Sequence, residues 1–394
     1  MTRTFRPKEW TVMMFIANDN NLGAFTKKKI AEIGSVGSTA ATDVVIQYDS
    51  LGENKVRRFR LSKGQKYRLS RLQGETNTGD KRVITKFVDH NLEDFDPNRM
   101  MLVISNHGTG LAIATDESLG TKAPLFRKAL REKRIARRRD TGSEPDLGND
   151  ALDLIELKAA LTETTAKHGR FELLAFDACL MSTFEVAHQV RHGARFMVGS
   201  QSNIPVPGFR FAPVFRLMRD KAISTSAVAE NMAVSSVPNL VEDEYAALAA
   251  LDLDKADVVA EAISVLAAAL TNVLDENDAF QAISLAHLSA LALPDSETID
   301  LFDFCQRLSR TVDNDVVRIA ATTVLVALGQ FVLRANPLGA LVEGARGVSI
   351  TLPKRNYLSD AYRQLDFARD TNWVRFLEAY LERRFPPVPE DPLL

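Results

Sequence analysis

The chain has 394 residues, enough for one large or two ordinary domains with substantial cores. Its hydrophobic (45%) and charged (25%) fractions are those of a globular protein, and a net charge of −2 provides no overall attraction to nucleic acid or to an anionic membrane. With only two cysteines, the fold cannot depend on a framework of disulfides.

The first predicted element is an apolar run over residues 11–17, which ends in the polar segment 18–21. This run is short and lacks an Ala-x-Ala cleavage site, so we interpret it as a buried strand rather than a signal peptide. No other apolar stretch is predicted to be long enough to span a bilayer. We therefore expect a cytoplasmic protein, with secretion as the alternative.

Apolar runs that end abruptly predict further buried strands, and apolar residues at helical spacing predict helices between them. The predicted strands cover residues 11–17, 44–49, 100–105, 173–176, 196–200, 245–253 and 347–353, with a polar edge hairpin within 55–69. The predicted helices cover residues 22–33, 83–92, 150–166, 180–186, 254–274, 299–308, 316–333 and 370–383. This alternation predicts an α/β fold with a largely parallel, helix-covered sheet in residues 1–250, and a mainly helical region, residues 251–394, packed on it.

A segment with catalytic potential follows the predicted strand 100–105. It reads NHGTG and places His107 and Gly108 at the carboxyl end of that strand. An imidazole, a flexible glycine and small polar residues are what a catalytic loop uses. A lone histidine in a loop is more often simply solvated, so both interpretations stay open for His107 by itself.

Residues 120–150 form the least structured stretch of the predicted chain. Within it, residues 127–139 carry eight basic side chains against one acidic one. The basic residues are Arg127, Lys128, Arg131, Lys133, Arg134, Arg137, Arg138 and Arg139. This segment is a solvated loop, a protease-sensitive loop or a nucleic-acid patch, and it lacks the interleaved aromatic residues that stack on bases.

The segment FELLAFDACLM, residues 171–181, is predicted to form the centre of the sheet. Its apolar part stops at Asp177, Cys179 follows, and a helical pattern begins at Leu180. In open α/β sheets the ligand crevice lies at the carboxyl ends of the strands, and a helix dipole lowers the pKa of a thiol at its N-terminus. The alternative is a buried cysteine that acts as a small hydrophobic residue, which is also the role expected for Cys305.

If the strands that precede His107 and Cys179 are parallel and adjacent, thiol and imidazole form a nucleophile–base pair. Four segments of the sequence, in the same order as in the family, resemble the clostripain family of cysteine endopeptidases. They are TVMMFIANDNNL, MMLVISNHGTG, FELLAFDACLM, and GVSITLP followed by LDFARDTNW. This family shares the caspase–hemoglobinase fold with legumain, gingipains and caspases. The resemblance spans most of the chain and implies a caspase-like endopeptidase that cleaves after Arg or Lys.

By this resemblance His107 matches the catalytic histidine and Cys179 the nucleophile of a dyad, with the main-chain N–H groups of Gly108 and Cys179 as the oxyanion hole. Asp177 matches the carboxylate at the base of the S1 pocket, and helix N-capping is the alternative role for it. Ser200, at the end of the predicted strand 196–200, is a further candidate for substrate binding. The resemblance also implies self-cleavage in the linker 120–150, into two fragments that stay associated.

No cofactor or metal site is predicted, because the sequence has no compact cluster of oxygen ligands with calcium-loop spacing; calcium dependence is implied by the resemblance alone. The expected partner is a protein or peptide with a basic P1 residue, not nucleic acid or membrane, and the oligomeric state is not predicted. A catalytically silent, caspase-like regulatory or binding module is the alternative function. The intact pair of His107 and Cys179 argues against it.

Overall fold

The computed structural model describes residues 7–18, 20–50, 56–63, 65–68, 78–114, 151–237 and 240–386. The strands are β1 Trp10–Asn18, β2 Thr42–Ser50, β3 Arg57–Ser62, β4 Gln65–Arg68, β5 Arg99–Ser105, β6 His107–Gly108, β7 Ala112–Ala114, β8 Ala151–Asp153, β9 Phe171–Asp177, β10 Ala194–Ser200, β11 Ala246–Asp252, β12 Thr298–Asp300, β13 Val332–Leu338 and β14 Ser349–Thr351. The helices are α1 Gly23–Gly34, α2 Lys81–Asp94, α3 Leu154–His168, α4 Phe184–Val190, α5 Ala212–Leu217, α6 Thr225–Ser235, α7 Ala256–Val273, α8 Asn277–Ser289, α9 Leu301–Thr311, α10 Asp315–Phe331, α11 Asp360–Arg363, α12 Asp366–Asp370 and α13 Trp373–Arg384.

The largest sheet has the strand order β13-β11-β10-β9-β5-β1-β2-β3-β4. Its central strands, from β10 to β2 in that order, are parallel to one another. Antiparallel strands extend both edges, β11 and β13 on one side and β3 and β4 on the other. The predicted α/β fold with a largely parallel, helix-covered sheet is therefore confirmed.

Both faces of this sheet are buried, because side chains alternate between two hydrophobic cores along each central strand. In β1, Met13 and Phe15 join the core under α2, α3, α4 and the C-terminal helices. Val12 and Met14 join the opposite core, under α1, α5 and α6. With both faces covered, the carboxyl ends of the parallel strands are where polar side chains can meet a ligand.

The C-terminal region adds helices to one face and also a strand to the sheet. The predicted helix 316–333 ends at Phe331, and β13 then pairs with β11 in the main sheet. That part of the helix prediction is wrong, because the apolar residues around position 332 pack at the sheet edge rather than on a helix. Cys305 lies in α9 with none of its surface exposed, as expected for a core residue.

One helical segment among the described residues, Leu253–Val273, has the length and apolar composition of a membrane span. By these criteria the expectation that no stretch could span a bilayer is wrong for this segment. However, 56% of it is buried, and α7 packs against α10 and α13. This packing is that of a core helix, whose apolar surface is buried by its neighbours rather than by lipid.

Candidate active site

The loops that carry His107 and Cys179 leave the same edge of the sheet from neighbouring parallel strands. β5 and β9 pair in a register that sets Ser105 opposite Asp177. The N–H of Asn106 then donates to the main-chain oxygen of Asp177 at 3.4 Å. The carboxyl ends of these two strands are therefore adjacent, as predicted, and one candidate residue follows each of them.

At Gly108 the loop that carries His107 packs directly against the loop that carries Cys179. A Cβ placed on this residue would lie 2.2 Å from the carbonyl oxygen of Cys179 and 3.0 Å from Cγ of Met181. Real Cβ atoms essentially never come that close to a backbone atom, so only glycine fits here without displacing a loop. The main chain of the histidine loop therefore lies against the main chain of the cysteine residue.

The imidazole of His107 is positioned by asparagines from two strand ends. Its Nε2 lies 2.5 Å from Oδ1 of Asn21, and its main-chain N–H donates to Oδ1 of Asn106 at 2.6 Å. Asn20 donates to that same Asn106 oxygen at 2.9 Å. Burial lowers the pKa of His107 below 6.5, so the imidazole is neutral at pH 7 and able to accept a proton. No role was predicted for Asn20 or Asn21. The sequence indicates only that they follow the first predicted strand, residues 11–17.

The thiol of Cys179 differs from the expectation. Burial raises its pKa above 9.0; the Ile204 N–H, which donates to Sγ at 3.3 Å, opposes this, and the charges of Asp177 and Asp295 add to it. The predicted lowering by a helix dipole is wrong, because α4 begins only at Phe184. These effects favour the thiol form of Cys179 over the thiolate.

The segment between Cys179 and α4 turns at Leu180 and is tied to neighbouring strands by hydrogen bonds. Leu180 adopts a φ of 60°, and its N–H donates to the Ser202 carbonyl at 3.1 Å. Ser182 donates to the Ser200 carbonyl at 2.9 Å and accepts from the N–H of Ser349 at 3.0 Å. A left-handed backbone at a non-glycine residue costs about 1–3 kcal/mol and persists only when its surroundings impose it. These bonds therefore hold the main chain next to Cys179 in one position.

Asp177 is buried and accepts from three donors. Its side chain is 2% exposed and forms an ion pair with Lys29 of α1, and it accepts from Ser105 Oγ at 2.9 Å and from the Phe209 N–H at 2.7 Å. It does not cap a helix, since Thr183 caps α4, and that alternative is wrong. No sequence pattern pointed to Lys29, and the S1 role of Asp177 stays a prediction.

Ser200 and the basic loop were the remaining candidates. Ser200 is fully buried; its hydroxyl lies 3.3 Å from the Ala247 carbonyl as a donor and accepts from the Ser202 N–H at 3.3 Å. These hydrogen bonds connect the Ser200 hydroxyl to the neighbouring main chain, and its role in substrate binding stays a prediction. The basic residues within 127–139, and the whole loop 120–150, lie outside the described residues.

Within the ranges that the structure describes, no group of three or more His, Cys, Asp or Glu side chains comes close enough together to hold a metal ion. The groups gathered at the strand ends are instead a thiol, an imidazole, carboxamides and main-chain N–H donors. This set is suited to nucleophilic acyl transfer, in which a sulfur attacks a carbonyl and backbone donors stabilise the oxyanion.

Comparison with known proteins agrees with this chemistry. The sequence model of the Clostripain family matches residues 14–380. Clostripain from Hathewaya histolytica is 25% identical over 411 aligned residues, which cover 87% of this chain and 74% of that protein. An inactive zymogen C11 protease from Parabacteroides distasonis has the same fold, with a TM-score of 0.64 and 18% identity over 92% of this chain and 98% of that one.

A secreted C11 cysteine protease from Bacteroides thetaiotaomicron, solved in complex with an irreversible peptide inhibitor, is also similar in fold. Its TM-score is 0.65, with 20% identity over 95% of this chain and 99% of that one. The resemblance found in the sequence motifs is thus confirmed over nearly the whole chain. The protein belongs to the clostripain family of cysteine proteases, which are hydrolases of caspase-like fold.

Proposed function

We propose that this protease is an endopeptidase that cleaves after Arg or Lys through a dyad of Cys179 and His107. The observation that carries the proposal is the contact of Gly108 with the main chain of Cys179, because it puts the imidazole loop against the residue that bears the thiol. Membership of the clostripain family supports the same assignment.

In the proposed cycle, His107 takes the proton of the Cys179 thiol as the sulfur attacks the scissile carbonyl carbon. The main-chain N–H groups of Gly108 and Cys179 stabilise the negative oxygen of the tetrahedral intermediate. The imidazolium then protonates the leaving amine, and the neutral imidazole takes a proton from the water that hydrolyses the thioester. When the thioester breaks down, the imidazolium returns this proton to the departing Cys179 sulfur, so that the complete cycle regenerates the thiol and the neutral imidazole.

The resting dyad in this proposal is uncharged. Burial raises the pKa of the thiol and lowers that of the imidazole, so both shifts favour thiol and neutral imidazole over thiolate and imidazolium. Proton transfer therefore accompanies attack on a bound carbonyl rather than preceding it. Such a nucleophile reacts slowly with small electrophiles until substrate is bound, because the thiolate is the reactive form.

Fluorogenic peptides that differ only at P1 test the proposed activity. We expect kcat/KM for Arg and Lys to exceed that for Leu and Asp by roughly 10²-fold, because a site carboxylate left without its cation is costly. Equal cleavage after Arg, Leu and Asp would overturn the basic specificity. A failure to cleave any peptide, with the fold intact, would favour the silent regulatory module.

We also propose that the protease cleaves itself within residues 120–150. The described flanks of this segment support the proposal: β7 pairs with β6, which contains His107, and β8 pairs with β7. The chain therefore leaves and returns beside the histidine loop. Residues 127–139 within this segment offer eight basic residues to an enzyme proposed to cleave after such residues, and the Parabacteroides distasonis relative is described as an inactive zymogen.

On incubation alone, the wild-type protein should break into fragments of about a third and about two thirds of its 394 residues, and Cys179→Ala should stay whole. Loops of this kind concentrate proteolytic cuts, and the paired strands on either side should keep the fragments associated. Mass spectrometry of the new termini is the measurement. A fully active, uncut enzyme, or cuts only outside residues 120–150, would contradict self-activation in this loop.

A further inference from the structure

The carboxylate expected at the base of S1, that of Asp177, already holds a cation that belongs to the chain itself. It forms an ion pair with the ammonium of Lys29 in α1, and the two side chains are 2% and 5% exposed. The following inference rests on the proposed preference for Arg or Lys at P1. A P1 cation must take the place of the Lys29 ammonium, because two cations beside one buried carboxylate repel each other.

The Lys29 ammonium lies among groups that recognise a cation. Beside the Asp177 carboxylate, its Nζ lies 3.4 Å from Ser105 Oγ and 5.9 Å from the centroid of the Phe211 ring. A carboxylate, a hydroxyl and an aromatic face are also groups that bind the charged end of a basic substrate side chain. The position that Lys29 fills therefore has the composition of a cation site.

The chain after β10 packs directly on this ion pair. At Gly208, whose φ is +83°, a Cβ would lie 2.4 Å from Asp177 Oδ1 and 2.6 Å from Lys29 Nζ. The same segment contacts the proposed nucleophile, because the N–H of Ile204 donates to Cys179 Sγ at 3.3 Å. The segment thus runs from the sulfur to the ion pair, and a side chain can reach the carboxylate from the sulfur only if this segment moves.

Helix α1 also holds the far end of this segment. One turn after Lys29, the Glu32 carboxylate accepts from the N–H of Phe211 at 3.2 Å and from the N–H of Ala212 at 2.8 Å, at the start of α5. The segment is therefore attached to α1 at the ion pair and again where α5 begins. Release of the Lys29 ammonium would loosen the first attachment and leave the second in place.

We propose that Lys29 is an internal competitor for S1, which closes the pocket on Asp177 in the resting protein and is displaced by the basic P1 side chain of a substrate. Asp177 is then the carboxylate that binds P1, and Lys29 determines which side chains reach it. An uncharged P1 side chain cannot replace the ammonium, because the buried carboxylate would lose its cation. A P1 Arg or Lys supplies the charge that Lys29 withdraws, so the pocket opens for a cation.

The test compares Lys29→Met with Lys28→Met on peptides that carry Arg, Lys or Leu at P1. Lys28 is a matched control, because it precedes Lys29 in the same helix and is exposed, and both substitutions remove one positive charge. A pocket that is mostly closed lowers the apparent affinity in proportion to the open fraction. We expect Lys29→Met to lower KM for Arg and Lys peptides by about 10-fold or more, with kcat near wild type and Leu peptides unaffected. Lys28→Met should change none of the three.

A second variant, Lys29→Gln, accompanies Lys29→Met because methionine leaves a buried carboxylate without any partner, which lowers stability. The glutamine amide can still donate to Asp177 but carries no charge that competes with the substrate. Melting curves establish that each variant is folded. An unchanged or raised KM for Arg and Lys peptides in a folded Lys29 variant would overturn the proposal, and so would a gain of activity on Leu peptides alone.

Binding of a cation without turnover separates this proposal from the proposed activity. Calorimetry in the Cys179→Ala background measures the affinity for benzamidine, a cation shaped like the end of an Arg side chain. We expect the Lys29→Met and Lys29→Gln proteins to bind benzamidine about 10-fold or more tightly than the Lys28→Met protein, which should match the parent. Adding Asp177→Asn to Lys29→Met should remove this gain.

The outcomes of the binding measurement are distinct. Tighter benzamidine binding by the Lys29 variants, with no peptide cleaved by the protein that retains Cys179, would contradict the proposed peptidase activity alone. Equal affinity in the Lys29 and Lys28 variants would contradict the competition, as would a gain that persists in the variant with Asp177→Asn. Lys29 variants that stay unfolded even with benzamidine present would show that the fold requires the ion pair, and would also contradict its displacement.

Discussion

Replacing either Cys179 or His107 by alanine should abolish peptidase activity, lowering kcat/KM by roughly 10³-fold or more. In the proposed mechanism the thiol supplies the sulfur that bonds to the substrate, and the neutral imidazole is the acceptor for its proton. Because the resting thiol holds its proton, the reaction depends on that acceptor more than it would in a preformed thiolate. The two residues therefore act as a unit, and the double variant should be no worse than either single one.

Cys305→Ala is the control for this pair of variants. Cys305 is fully buried in α9, so its loss should cost about 1 kcal/mol of stability and leave activity near wild type. Initial rates on an Arg peptide, with melting temperatures for every variant, are the measurement. Substantial turnover by a folded Cys179→Ala or His107→Ala protein would refute the dyad.

Gly108→Ala should have the next largest effect, although it changes no group that reacts. The added methyl would lie 2.2 Å from the Cys179 carbonyl oxygen, a backbone atom that cannot rotate away. The histidine loop must therefore move from the cysteine residue, and a displacement near 1 Å costs on the order of 10²-fold in rate. The overpacking itself should cost roughly 1–3 kcal/mol of stability.

Gly329→Ala provides a matched comparison. Gly329 lies within α10, where a Cβ would meet no atom within 4 Å, so alanine should raise stability by about 0.5–1 kcal/mol and leave activity unchanged. Rates and melting temperatures of the two variants separate a loss of geometry from a loss of folding. Wild-type activity in Gly108→Ala would show that the two loops are not held in the arrangement described.

The sequence predicted the central sheet well, because each buried strand is a continuous apolar run that ends at polar residues. It failed where distant segments decide the local structure. The run after Cys179 has helical spacing, yet Ser182 and Thr183 pair with Ser349 far along the chain, and α4 starts only at Phe184. In the same way, β13 pairs with β11 and thereby ends the helix earlier than its apolar pattern predicted.

The proximity of the loops that carry His107 and Cys179 could be predicted because topology brings the ends of neighbouring parallel strands together. The positions of the side chains around these two loops could not be predicted. Lys29 lies in a run of three lysines, a pattern typical of an exposed helix face, and it meets Asp177 148 positions away. Asp295 lies in a polar segment and meets Asn203 92 positions away. Such pairings depend on the final packing of elements and leave no local signal in the sequence.

The proposed role of Cys179 as the nucleophile is tested most directly by finding which residue a covalent inhibitor modifies. Wild-type protein is treated with a peptidyl chloromethyl ketone that carries Arg at P1, digested, and mapped by mass spectrometry. We expect one adduct, on Cys179, formed in the folded protein and strongly slowed in His107→Ala, with Cys305 unmodified. An adduct on Cys305, or peptide cleavage that persists while Cys179 remains unmodified, would contradict it.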